Sequence, residues 1–145
     1  MSVNNFTTGI DVSVQINTSY GPLLIPATAI LDFKADPETT KLRSKGIDGL
    51  TRHAVIPDSW KGSIMIDRLD QAVDNWWGRL EEDYYANRRV GNATIIQRIR
   101  EQDGTVSTWR FEDVCLTLDS AGDYAADKKV EQSISFQAAR RVRVS

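Results

Sequence analysis

"SKGIDGLTRHAVIPDSWKG", residues Ser44 to Gly62, is the stretch on which the fold turns. It lies between two stretches with strand patterning, carries charges of both signs, and holds glycines near its start and a proline and a tryptophan near its end. Connections between strands in compact domains are usually a few residues long, and longer ones are functional or disordered. Its apolar residues, Ile47, Leu50, Val55 and Ile56, are scattered. Ordering a chain costs roughly 1–2 kcal/mol per residue in backbone entropy. A long charged segment with so few anchors is suited to ordering against a partner.

Working outward, Ile10, Val12, Val14 and Ile16 alternate with Asp11, Ser13, Gln15 and Asn17, the period of a half-buried strand. "SYGP" (Ser19 to Pro22) reads as a turn. A second strand is expected over about Thr28 to Ala35, with Ala29, Leu31 and Phe33 inward and Asp32 and Lys34 outward. Pro37 has no N–H to donate and is expected to end regular pairing. That leaves an extended polar loop over about 37–59. "WKGSIMIDR" (Trp60 to Arg68) predicts a third strand.

The period then changes. Leu69, Val73, Trp76, Trp77, Leu80 and Tyr84 share one helical stripe and predict a helix over about 69–86. Asp67 is the expected N-cap, Asp70 and Asp74 suit the positive end of the helix dipole, and Arg88 and Arg89 follow its other end. "NATIIQRIR" (Asn92 to Arg100), "VSTWRFEDVCLTL" (Val106 to Leu118) and "KVEQSISFQAARRVRV" (Lys129 to Val144) read as further strands, the first two joined by the Asp-Gly turn "EQDG". The order is β-β-β-α-β-β-β. A chain of 145 residues without repeats or linkers reads as one domain over 1–145. The fold class is mainly β, a small antiparallel β-sandwich or open barrel with one flanking α-helix.

Composition narrows the function. With 18 basic and 20 acidic side chains the net charge is -2, which gives no electrostatic reason for tight binding to DNA or membranes. No apolar run approaches the roughly 20 residues of a membrane span, and "MSVNNFTTG" lacks the pattern of a signal peptide. The lone cysteine, Cys115, excludes an internal disulfide and suits a reducing compartment. Its setting, "VCLTL", predicts a buried structural thiol rather than a nucleophile for His53, the only histidine. No metal-ligand set, phosphate-binding loop or nucleophile elbow occurs. The pairs Glu81–Glu82 and Glu112–Asp113 are explained by solvated faces, and the aromatic residues of the helix by core packing. "RRVRV" (Arg140 to Val144) fits an exposed edge or a contact with an acidic partner better than a DNA contact. No enzyme and no cofactor is expected.

From Leu31 onward the layout resembles the tail tube proteins of contractile-tailed bacteriophages, whose relatives form the tubes of contractile bacteriocins and type VI secretion. The resemblance runs through "LDFKADPETTKLRSKGIDGLTRHAVIPDSWKGSIMI", with its polar glycine-containing stretch and its Trp60-x-Gly62-Ser63 strand. It continues through "LDQAVDNWWGRLEEDYY", the polar hairpin and the alternating last strand. It implies hexameric rings with joined sheets, stacked into a tube that conducts DNA into the host without binding it specifically. Tail sheath, baseplate and tail terminator proteins are the implied partners. The location is the virion tail, assembled in the host cytoplasm with no membrane anchor. The polar stretch then becomes the contact between subunits or rings, carried by Lys41, Arg43, Lys45, Asp48, Arg52, His53 and Asp58. Asp32, Asp36, Asp67, Glu112, Asp113 and Glu131 are the candidate lumen-facing acids. The alternatives are another phage tail or baseplate component of the same fold and a small ligand-binding β-barrel.

Overall fold

The computed structural model describes residues 12–23, 25, 29–88 and 91–144. Ile10, Asp11, Thr28 and Arg89, which carry parts of the expected strands and helix end, lie outside them. The elements are β1 (Val12–Thr18), β2 (Gly21–Leu23), β3 (Ile30–Lys45), β4 (Thr51–Asp67), α1 (Ala72–Asn87), β5 (Ala93–Arg100), β6 (Val106–Ser120), β7 (Glu131–Ala138) and β8 (Arg140–Arg143). The expected order gains β2, which folds back on β1, and β8, separated from β7 by Ala139.

The strands pair antiparallel in the order β2-β1-β5-β6-β7-β4-β3, with β8 beside β6. The sheet does not close into a barrel and folds over as a sandwich with one helix. β6 belongs to both layers, pairing with β5 and β8 in its first part and with β7 from Cys115 onward.

Strand parity builds the core. In one layer Ile16, Ile95 and Phe111 stand in register, and in the other Phe33, Ile64 and Ile134 do. Phe111 joins the layers, with its ring 6.1 Å from Phe33, 6.0 Å from Trp60 and 5.6 Å from Phe136. Ala35 pairs with Gly62, and a methyl group on Gly62 would come within 2.0 Å of the Lys34 carbonyl oxygen and 2.5 Å of the Phe136 ring. The glycine of the Trp60-x-Gly62-Ser63 strand is therefore fixed by space.

Two irregularities move residues off their expected faces. Asp113 has φ 52°, and the register steps from Ile95–Phe111 to Ala93–Val114. The bulge shifts the phase of β6, so Val114 and Leu116 are buried and Cys115 is exposed, not buried as expected. A second irregularity between Ile30 and Asp32 leaves Leu31 43% exposed rather than inward.

The helix begins later than expected. Asp70 Oδ1 accepts the Ala72 N–H at 3.0 Å, whereas Asp67, the expected cap, ends β4 and lies 3.3 Å from Lys129 Nζ. Val73 and Trp76 are buried and Trp77 and Leu80 pack on the core, but Leu69 and Tyr84 are exposed. Asp74 fastens the first turn to β7, accepting from Arg68 Nη2 and from Gln132 Nε2, each at 2.8 Å.

The largest correction concerns Pro37. Pairing does not end there but runs on from Pro37 opposite Trp60 to Lys45 opposite Thr51. β3 is the outermost strand of the second layer, where a residue without an N–H is tolerated. The segment expected as a loop over 37–59 is strand apart from a short turn.

Candidate functional site

β7 accompanies β4 only from Asp67 to Trp60. Beyond that point no other described strand pairs with β3 or β4, which continue as a two-stranded arm. The arm begins at a bulge, because Glu38 faces Ser59 and Thr39 faces Pro57, which leaves Asp58 as the extra residue. Asp58 Oδ2 accepts a hydrogen bond from Thr40 Oγ1. Residues 39–45 and 51–58 are all exposed.

The register sorts the arm into two faces. Lys41 with Val55, Arg43 with His53 and Lys45 with Thr51 form a basic face. Thr40 with Ile56, Leu42 with Ala54 and Ser44 with Arg52 form the other, where Leu42 and Ile56 are about half exposed. The tip is stiffened by its own bonds. Asp48 accepts the Leu50 N–H at 3.0 Å and Arg52 Nη2 at 3.1 Å, and the Gly46 N–H reaches the Leu50 carbonyl at 3.0 Å. Gly49 takes φ +83°, which a side chain would resist.

All the residues expected at the contact thus lie on the arm. Lys41, Arg43, Lys45 and His53 share one face, Arg52 lies on the other, Asp48 holds the tip and Asp58 marks the root. Sequence reasoning missed the apolar stripe of Leu42, Ala54 and Ile56. Its signal was the spacing by two of Ala54 and Ile56 on β4, concealed by reading Pro37 as an end to pairing.

The expected acids divide. The outward face of the second layer carries cross-strand rows: Asp32, Met65 and Ser133; Lys34, Ser63, Ser135 and Thr117; Asp36, Lys61, Gln137 and Cys115. Asp67 and Glu131 extend this face as a pair joined by Lys129, whose pKa is raised mainly by its hydrogen bond to Asp67. Glu112 instead belongs to the other layer, opposite Arg140 and 2.7 Å from Arg110 Nη2, and Asp113 sits in the bulge. The face is hydroxyl-rich and of mixed charge.

Among the described residues no three His, Cys, Asp or Glu side chains gather as a metal site. His53 is on the arm and Cys115 on the outer face of β6. Among the described residues no helix is long and apolar enough to cross a membrane.

No protein-family model matches the sequence, and no curated protein matches it either. Solved structures do. A chain of the anti-feeding prophage tube terminating cap aligns with TM-score 0.65 at 13% identity, covering 100% of this chain and 95% of that one. A chain of the PVC sheath-tube complex, an extracellular contractile injection system in its extended state, aligns with TM-score 0.62 at 13% identity, covering 91% and 88%. A chain of the anti-feeding prophage baseplate gives 0.56 at 9% identity, covering 100% and 98%. Identities this low speak for the fold alone, and on that ground the chain has the tail-tube fold found in the tube, cap and baseplate assemblies of contractile injection systems.

Proposed function

We propose that the chain is a structural subunit of a phage tail or phage-tail-like tube. Copies form hexameric rings, and the rings stack around a lumen that conducts DNA into the host. The observation that carries this reading is the arm, a two-stranded projection that no other described strand accompanies. Exposed sheet edges and a bare ribbon are a hazard in a monomer. They become contacts when copies meet head to tail, since such interfaces close into rings or repeat into filaments. Lys41, Arg43, Lys45, Asp48, Arg52, His53 and Asp58 are assigned to those contacts.

The outward face of the second layer is the proposed lumen surface, with Asp32, Asp36, Asp67 and Glu131 contributing negative charge. DNA adheres by phosphate neutralisation, and on this face Lys34 stands 3.6 Å from Asp36 and Lys129 bridges Asp67 and Glu131. Glu112 and Asp113, on the other layer, are not proposed to face the lumen. Sheath, baseplate and terminator proteins are the proposed partners, in a virion tail assembled in the host cytoplasm. Negative-stain microscopy of the purified chain over a range of concentration and salt tests the reading. Rings and tubes are expected, and monomer alone under every condition contradicts it. The likeness to the cap and baseplate chains favours a second reading, a terminating or baseplate component of this fold. That reading expects single rings that never lengthen.

A further inference from the structure

The arm ends in an apolar side chain that no described residue covers. Ile47 sits at the apex of the stiffened turn, fully exposed at 109% of its reference area, with Leu50 beside it at 61%. Gly46 is about 40 Å from Phe33 along β3 at roughly 3.3 Å per residue, so the tip stands far from the body of its own subunit. Apolar anchors held rigidly in solvent mark a docking element whose receptacle lies elsewhere.

The same chain offers such a receptacle. Among the described residues β2 pairs with β1 only from Ile16 to Thr18, so there the start of β1 is an edge. It faces the open edge of β3 across a slot of about 180 Å³ lined by Val12, Val14, Ile30, Leu31 and Phe33, with Gln97 and Asp32 supplying the polar groups. Three other hollows among the described residues fit less well. One under the β6–β7 connection is rimmed by Asp123, Lys128, Lys129 and Glu131. One beside Trp76 is occupied at its rim by Arg79, which stacks on Tyr20 at 4.7 Å. A third holds only about 10 Å³. Charge agrees with the apolar match, since Lys45 flanks the tip, where Arg52 is already paired with Asp48, and Asp32 stands at the slot.

We propose that the tip of one copy, led by Ile47 and Leu50, seats in the β1–β3 slot of the next copy, with Lys45 toward its Asp32, which then belongs to the contact and leaves the lumen surface to Asp36, Asp67 and Glu131. The proposal rests on the reading of the arm as an assembly element and names what it grips. Tip and slot lie on different parts of the surface, so each copy gives one and receives one, and the contact repeats along the arm direction.

Disulfide trapping tests it in the full chain carrying Cys115→Ser. Ile47→Cys combined with Leu31→Cys should yield, on mild oxidation of assembled protein, a ladder of linked multimers. Either single variant should yield dimers at most, and Ile47→Cys with Tyr124→Cys should yield no ladder. Assembly without the 47–31 ladder, or an equal ladder from the 47–124 pair, overturns the proposal while leaving the arm's role standing. Failure of the Cys115→Ser chain to assemble at any concentration, with the unsubstituted chain behaving alike, overturns both. Ile47→Asp provides a second reading without cysteines. It should raise the concentration needed for assembly at least tenfold, and an unchanged threshold contradicts the docking.

Discussion

Phe111 links the two layers through three aromatic contacts. It is fully buried, and its ring meets Phe33, Trp60 and Phe136. Phe111→Ala should cost about 3–5 kcal/mol by the usual penalty for emptying an aromatic site, measured by urea unfolding under conditions where the chain is monomeric. A loss below about 1 kcal/mol would mean that the layers hold together elsewhere. Gly62→Ala makes the opposite error, adding volume where the Lys34 carbonyl and Phe136 leave none. Overpacking of this kind costs typically about 1–3 kcal/mol. An unchanged midpoint for that variant would contradict the close approach of β3 and β4. At this scale the sequence disclosed the alternation of β1 and the inward Phe33, because period-two patterning records burial directly. It concealed the side on which Cys115 falls. That depends on the bulge at Asp113, and "FEDVCL" contains no glycine to announce one.

Among the elements, the helix was legible in its stripe, and its late start follows from a local bond, Asp70 to the Ala72 N–H. The arm was legible as an anomaly but not as a ribbon. Pro37 argued for an end to pairing, and the argument fails because β3 is an edge strand and its partner continues beside it. The division of the arm into a basic and an apolar face emerges only once register is known. Leu42→Asp and Ile56→Asp should therefore weaken assembly while changing monomer stability by no more than about 0.5 kcal/mol, as surface substitutions do. Sedimentation velocity reads the first effect and thermal unfolding of dilute protein the second. Equal loss of both would mean that the stripe belongs to the fold. Lys41→Ala and Arg43→Ala should act more weakly and in a salt-dependent way, since exposed ion pairs contribute only about 0–1 kcal/mol each.

At the scale of the whole molecule, a buried body and a projecting arm are distinct. The body contains the buried cluster from Ile16 to Ala138, and no residue of the arm beyond Trp60 belongs to it. The measurement that tests this most directly compares the intact chain with a variant in which "SKGIDGLTRH" (Ser44 to His53) is replaced by a short Gly-Ser turn, by sedimentation velocity with circular dichroism on the same samples. The account predicts a folded monomer with a near-unchanged spectrum and no large assemblies, beside an intact chain that polymerises. Normal polymerisation of the shortened chain, or its unfolding, would contradict it.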